Sequence, residues 1–322
     1  MLASRMISRT LAAPALLWCA AAAAAPISMN EAALARGFAL PALGQPDILE
    51  RGHFAKQVDL DLINEFFLGD NAHETLILDG EAARLGFRLR YGVAQDWEVG
   101  LALPYYIVGG GFLDSTIETW HRWFSLPNAN RDQRPHNQLD YRYERDGETL
   151  LDAHSSANGI GDLRLQAGRA LLDGVVARAE LKLPTGSASH LMGNRAVGAA
   201  LWVDAAIPFP EDSRFGGFVS GGLSYTARGD ILEDQQKTFV PFAGLGLSAR
   251  LIGNFGAEAQ IDVHGALYRD SELQPLHNIG APVSFGVFYA PARSPRIDLL
   301  IQEDASVYVS PDFVLNLSLS MP

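Results

Sequence analysis

Residues 174–186 read GVVARAELKLPTG, with a charge at every second position along most of the stretch. Arg178, Glu180 and Lys182 alternate with Ala177, Ala179, Leu181 and Leu183. Period two is the repeat of an extended strand, so one face is polar and the other apolar. The fold turns on which face meets water, and on whether that water lies outside the protein or within it.

The same alternation recurs along the chain. QVDLDLINEF sets Val58, Leu60 and Leu62 against Asp59, Asp61 and Glu65, and AARLGFRLRYGV sets Leu85, Phe87, Leu89 and Tyr91 against Arg84, Gly86, Arg88 and Arg90. DWEVGLALPY, GDLRLQAGRAL, AVGAALWVDAA, FGGFVSGGLSY, FAGLGLSARL, FGAEAQIDVHGAL, APVSFGVFY, RIDLLIQED and PDFVLNLSLSM continue the series. About twelve such segments of about ten residues each suit strands that cross a bilayer at a tilt.

A soluble sandwich alternates as well. Three features favour a membrane barrel. Trp97, Tyr105, Phe215, Tyr225, Phe255, Tyr289 and Phe313 sit near strand ends on the apolar face, as interfacial aromatic girdles do. Small and charged residues share the other face. Short connections (GVAQD, LLDG, RLIGN, and the middling IPFPEDSR and APARSPR) alternate with longer ones near 67–81, 107–158, 186–195, 227–238 and 268–280. The expectation is an all-β fold: a transmembrane antiparallel β-barrel of about 12 strands with one long extracellular loop. Its apolar face would meet lipid. Arg84, Arg88, Arg90, Glu98, Arg178, Glu180, Lys182, Glu258 and Asp262 would line the lumen, among Asp59, Asp61, Glu65 and Arg250. Paired, these charges would hold a narrow barrel rigid. Segregated by sign, they would line an ion-selective pore. Register decides between the two, and it is not readable from sequence.

Composition bounds the rest. The 322 residues have a net charge of −12 and no basic cluster, which argues against a nucleic-acid partner. MLASRMISRT carries Arg5 and Arg9 and is followed by LAAPALLWCAAAAAA, the layout of a secretory signal peptide cleaved near Ala25. Loss of those two arginines, with no acid lost, would take the charge of −12 to −14. Cys19, the one cysteine, would leave with the leader. The expected organisation is a cleaved signal peptide at 1–25, a periplasmic lead or lumen plug at 26–56, and an outer-membrane barrel at 57–322 with an external lid at 107–158.

LPALGQPDILERGHF, GGGFLDSTIETWHRWFSLPNANRDQRPHNQLDYRY, GIGDLRLQAGRAL and LKLPTG resemble the bacterial domain-of-unknown-function 3187 family, from about residue 38 to the C-terminus. The resemblance implies an outer-membrane-barrel-like fold and supplies no site residues. Barrels usually end their last strand in an aromatic residue read by the insertion machinery, whereas this chain ends LNLSLSMP.

Two stretches carry candidate chemistry. In DAHSSANG, His154, Ser156 and Asn158 fall at alternate positions, the residue types a serine nucleophile, its base and an orienting amide require. They loosely resemble the His-x-Ser-Asn pattern of outer membrane phospholipase A. The plainer reading is a polar loop entering a strand. In LDSTIETWHRWF, a helix capped by Asp114 or Ser115 would set Ile117, Trp120, Trp123 and Phe124 on one apolar face. That face either packs on the barrel mouth or forms a loop aromatic site (Trp120, Trp123, Phe124) for a hydrophobic solute. The eight histidines are scattered without ligand spacing, so no metal and no cofactor is expected. LPTG simply ends a strand with Pro184 and Gly186.

The function expected from sequence is a passive narrow channel or small-solute uptake barrel in the outer membrane. A structural or partner-binding barrel with an occluded lumen is the alternative, and a lipid-modifying serine hydrolase ranks below both. Expected partners are outer-membrane lipid, the barrel assembly machinery and a small hydrophobic or polar solute.

Overall fold

The computed structural model describes residues 26–124, 131, 134–210, 212–292, 294–305 and 308–321, with backbone alone for 120, 121 and 124. The leader expected at 1–25 lies outside them. The strands are β1 (Phe54–Asp70), β2 (Glu74–Ala94), β3 (Trp97–Gly109), β4 (Asp140–Arg145), β5 (Glu148–Ala153), β6 (Ala157–Ile160), β7 (Leu163–Leu172) and β8 (Val175–Leu183). There follow β9 (Gly198–Ala206), β10 (Phe215–Thr226), β11 (Phe239–Ile252), β12 (Phe255–His264), β13 (Pro282–Tyr289), β14 (Arg296–Asp304) and β15 (Phe313–Met321).

Twelve of these close a ring. β1, β2 and β3 pair in turn, β3 pairs β7, and β7 to β15 follow in chain order until β15 pairs back onto β1. Every pairing is antiparallel, so the ring is a closed up-and-down barrel without free edges. β6 extends the line of β7 along β3, after a break at Gly161 and Asp162. The β4–β5 hairpin raises the wall beside the upper part of β2.

The strand parity sorts the side chains. Leu85, Phe87, Val99, Leu101, Leu201, Val203, Leu245, Leu247, Val287, Leu299 and Leu317 are exposed on the outer face. Asp59, Asp61, Arg84, Glu98, Arg178, Glu180, Asp204, Asp262 and Asp298 are buried on the inner one. Outward aromatics meet in cross-strand pairs near the strand ends: Phe54 with Tyr91 at 4.5 Å, Tyr225 with Phe239 at 5.4 Å, and Phe255 with Tyr289 at 4.8 Å. Among the described residues no helix is long and apolar enough to cross a membrane.

Two expected loops are built differently. The stretch at 67–81 is strand, because β1 and β2 run on in register up to Asp70 opposite Thr75. Asn71 makes the tight turn possible: its side-chain oxygen accepts the N–H groups of His73 and Glu74, each at 2.8 Å. The stretch at 107–158 holds the end of β3, helix α1 (Asp114–Phe124), β4, β5 and the start of β6. Strands β2, β4 and β5 stand above β3, so this end of the barrel is much taller than the end with short turns. Segments 184–197 and 265–281 fold inward there, the latter with helix α2 (Gln274–His277), burying Leu191, Met192, Leu267, Tyr268 and Leu276.

Candidate functional site

The lumen is filled by the chain's own residues 26–52. Pro26 starts in the short-turn half, where its carbonyl accepts from Gln57 at 2.9 Å and Arg88 at 2.5 Å. The chain climbs to the long-loop end and reverses in a compact turn, Ala35 and Arg36 both bonding the carbonyl of Ala32. It then descends to Gly52, which bonds Gly92 of β2 beside the start of β1.

Two layers hold this inner segment. At the long-loop end Met29, Ala33, Leu34 and Phe38 join one apolar core with Ile63, Leu76, Leu78, Tyr141, Tyr143, Tyr268 and Leu276. Phe38 packs edge-on to Tyr268, whose hydroxyl donates to the Leu34 carbonyl at 2.8 Å. Toward the short turns the contacts become polar and come from all round the barrel. Arg164 donates to the carbonyls of Phe38 and Leu40 at 3.0 and 2.9 Å. Asp204 and Glu98 accept from the amides of Gly44 and Leu49 at 3.1 and 3.0 Å. A chain without regular structure must place its backbone groups somewhere, and here the wall's charged side chains receive them.

Most of the lumen charges form a paired network. Arg84 stands directly opposite Asp61 in the β1–β2 register and binds it, with Glu31 of the inner segment 3.2 Å away. Arg90 and Arg178 both reach Glu98, at 2.8 and 2.6 Å. Arg178 also meets Asp204 at 3.0 Å. Arg164 binds Glu180 at 2.6 Å, and Lys182 binds Asp162. Arg296 holds Glu258 at 2.5 Å and Asp298 at 2.6 Å. Asp262 accepts from Gln260 at 2.7 Å. A glycine makes one of these pairs possible: Gly168 lies opposite both Glu98 and Arg178, and a Cβ there would come 2.8 Å from the Arg178 guanidinium. Burial works against the charge of Glu31, but Arg84 and Arg36 outweigh it and hold this carboxyl below its ordinary range.

Cavities remain between the inner segment and the wall, and two of them bear on the lumen charges. One of about 150 Å³ lies toward the short turns, lined by Gln45, Gln57, Arg88, Arg90, Gln166 and Arg296 among others. A smaller one of about 40 Å³ lies deeper, against Arg36, Arg84, Tyr106 and Met192. Arg88, Ala102 and Gln166 border both.

The other candidates are not assembled. His154 directs Nε2 at Asp152, 2.7 Å away, and Nδ1 toward Asp140 at 3.8 Å. Asn158 accepts from Tyr105 at 2.6 Å, and Ser156 lies against Gly109. Both imidazole nitrogens thus face carboxylates, an arrangement that does not make His154 a base for Ser156. In α1, Ile117 is 2 % exposed and Trp123 75 % exposed. Six residues turn a helix through about 600°, which puts the two on different faces. The expected single apolar face is therefore split, while the side chains of Trp120 and Phe124 lie outside the description. Asp114 opens the helix, but its carboxylate binds Arg131 at 2.7 Å and the amide of Asn137 at 2.6 Å.

That last contact belongs to a buried polar cluster on the outside of the barrel. Asn64, Asp79 and Glu81 have outward parity, yet they are buried, with Phe112, Leu113, Asp114, Arg131 and Arg134 against them. Glu81 accepts the amides of Phe112 and Leu113 at 2.8 and 2.6 Å, and only a glycine fits beside it at 111, where φ is +69°. Arg131 binds Asp114, Asn64 and Asp312. The sequence reading missed this cluster, because no periodicity marks Arg131. Asp204, Arg296 and Asp298 were findable, since they share the parity of the lumen charges around them.

A ring of twelve antiparallel strands, apolar outside and charged within, defines an outer-membrane-type β-barrel. The chain belongs to the family described as "Protein of unknown function (DUF3187)", which it matches over residues 6–321. No curated protein matches it significantly. Among solved structures, it is similar in fold to the COG4313 outer membrane channel from Pseudomonas putida F1, at 12% identity and a TM-score of 0.54, over 87% of this chain and 98% of that one. Weaker likenesses are to the translocator domain of the autotransporter NalP from Neisseria meningitidis (9% identity, TM-score 0.46, 84% and 89% covered) and the Pseudomonas putida toluene transporter TodX (10%, 0.40, 90% and 97%).

Proposed function

We propose that this protein is an outer-membrane channel for small solutes whose lumen is held shut by residues 26–52, acting as a plug. The observation that carries the reading is the two-layer hold on that segment. Below its apolar cap, the plug meets the wall through hydrogen bonds from charged side chains to its backbone. Water can replace such bonds when a segment moves, so their net contribution is modest, about 0.5–3 kcal/mol each. A lumen built solely for rigidity could have been packed with apolar side chains at equal or better stability.

The short-turn end faces the periplasm in this reading and the tall end faces outward, as in bacterial barrels. Export through a leader at 1–25 and cleavage near Ala25 fit a plug that enters from the periplasmic side. The apolar cap favours a second reading, a partner-binding barrel that never opens. Planar-bilayer conductance separates the two. The intact chain should open rarely, and a variant lacking 27–45 should conduct steadily. Silence in both, with heat-modifiable migration showing a folded barrel, would support the second reading.

A further inference from the structure

We propose that the larger lumen cavity is a binding site for a short-chain carboxylate, with Arg88 as its anchoring cation. The inference deepens the channel reading by naming a solute class. A barrel that bound the anion and never conducted would refute that reading while leaving this one intact.

The lumen arginines differ in how firmly they are paired. Arg90 is committed to Glu98 through Nε and Nη2, both at 2.8 Å, and Arg296 to Glu258 and Asp298. Arg88 is not committed in that way. Its hydrogen bonds go to neutral acceptors of the inner segment, the Pro26 carbonyl at 2.5 Å and the Ser28 hydroxyl at 3.4 Å. Its ion-pair partner, Asp59, stands at 3.9 Å, beyond hydrogen-bond reach, and Oδ2 of Asp59 has no hydrogen-bond partner. An arginine stays charged in a protein. A second carboxylate at Arg88 would therefore gain a charge-assisted hydrogen bond without breaking a tight ion pair.

Position and shape supply the rest. Arg88 borders both cavities, so its guanidinium faces the larger space and the smaller one beyond it. Among the described residues, Asp47 is the one carboxylate lining the larger cavity, and its side chain is largely exposed. The amides of Gln45 and Gln166 line the same space, and Pro26, Ala55, Ala102 and Met321 give it apolar wall. A cavity of about 150 Å³ accepts a molecule of about six heavy atoms, the size of benzene. Butyrate has that size, one planar carboxylate for the guanidinium fork and a short tail for the apolar wall.

The test is equilibrium dialysis of radiolabelled butyrate against the full detergent-solubilised protein, with butyramide and inorganic phosphate as competitors. Saturable binding is expected, displaced by unlabelled butyrate and not by butyramide or phosphate at the same concentration. Arg88→Gln should weaken binding about tenfold or more, the loss of one charge-assisted hydrogen bond. Arg88→Lys should recover part of it. If Arg88→Gln fails to fold, the competition on the unaltered protein still decides. Displacement by butyramide would show that charge is not read, and displacement by phosphate would show an inorganic oxyanion site. Either result, an absence of saturable binding, or a folded Arg88→Gln that binds normally would overturn the proposal.

Discussion

Arg178 of β8 donates two hydrogen bonds to the backbone carbonyl of Gln45, from Nε at 3.1 Å and Nη2 at 2.7 Å. The same guanidinium neutralises Asp204 on the neighbouring strand β9 and Glu98 on β3, which it reaches across β7. One side chain thus closes the wall's charge network and grips the plug. Replacing it with leucine leaves two buried carboxylates short of a partner, a loss of about 3–5 kcal/mol. Arg178→Leu should lower the urea midpoint of unfolding and expose Arg36, buried in the lumen, to trypsin. Unchanged trypsin resistance would show that the plug does not depend on this grip.

Acid should loosen the plug through Glu31. Its carboxylate faces Arg84 at 3.2 Å and Arg36 at 4.0 Å, and accepts from the Tyr106 hydroxyl at 2.8 Å, with Ser28 and Asp61 close by. Its pKa is lowered in the folded state. The stabilisation is therefore complete above the ordinary carboxylate value and is lost as pH falls through the folded one. Comparing Glu31→Gln with the unaltered protein in urea, the stability gap should be widest near neutrality and should narrow below roughly pH 4. A gap that stays constant with pH would contradict this.

The outer face makes a prediction about depth. Leu245 sits at the middle of β11 on the exposed apolar face, and Phe239 at its end. Leu245→Arg should cost about 2–4 kcal/mol in liposomes, and Phe239→Arg about 0–1 kcal/mol. Urea titration of the two variants measures both. Equal costs would mean that β11 does not span a bilayer.

On the tall end, Arg131 stacks over Phe66 at 4.6 Å while binding Asp114, Asn64 and Asp312. Arg131→Ala should release helix α1 and residues 134–139 from the wall, making Arg122 and Arg134 cleavable by trypsin. Heat-modifiable migration should stay unchanged, because the contacts lie on the outside of a closed ring. A collapse of the barrel instead would make the cluster part of the wall's own stability.

The sequence carried the barrel, since period two survives along most of each of the twelve ring strands, from Val58 to Leu319. It also carried the direction of Arg84, Arg178 and Glu258, because parity alone fixes a side chain's face. It did not carry their partners. Arg84 meets Asp61 through the β1–β2 register, and Arg178 reaches Glu98 across Gly168 because three strands align there. Residues 26–52 have no period, so their path through the lumen depends wholly on side chains far away in the chain. The outer cluster was hidden for the opposite reason: Asp79 and Glu81 sit at apolar-face positions, and only the covering loop makes them tolerable.

The most direct test of the account is to tie the plug to the wall and untie it. A Cβ at Gly198 would stand 2.8 Å from that of Ala39, so a disulfide between Ala39→Cys and Gly198→Cys needs an opening of about 1 Å. In a chain without Cys19, single-channel recording should show no openings when the pair is oxidised. Openings should appear in the same membrane after reduction. Equal conductance in both states would show that residues 26–52 do not gate the lumen, and silence in both from a folded barrel would remove the channel itself.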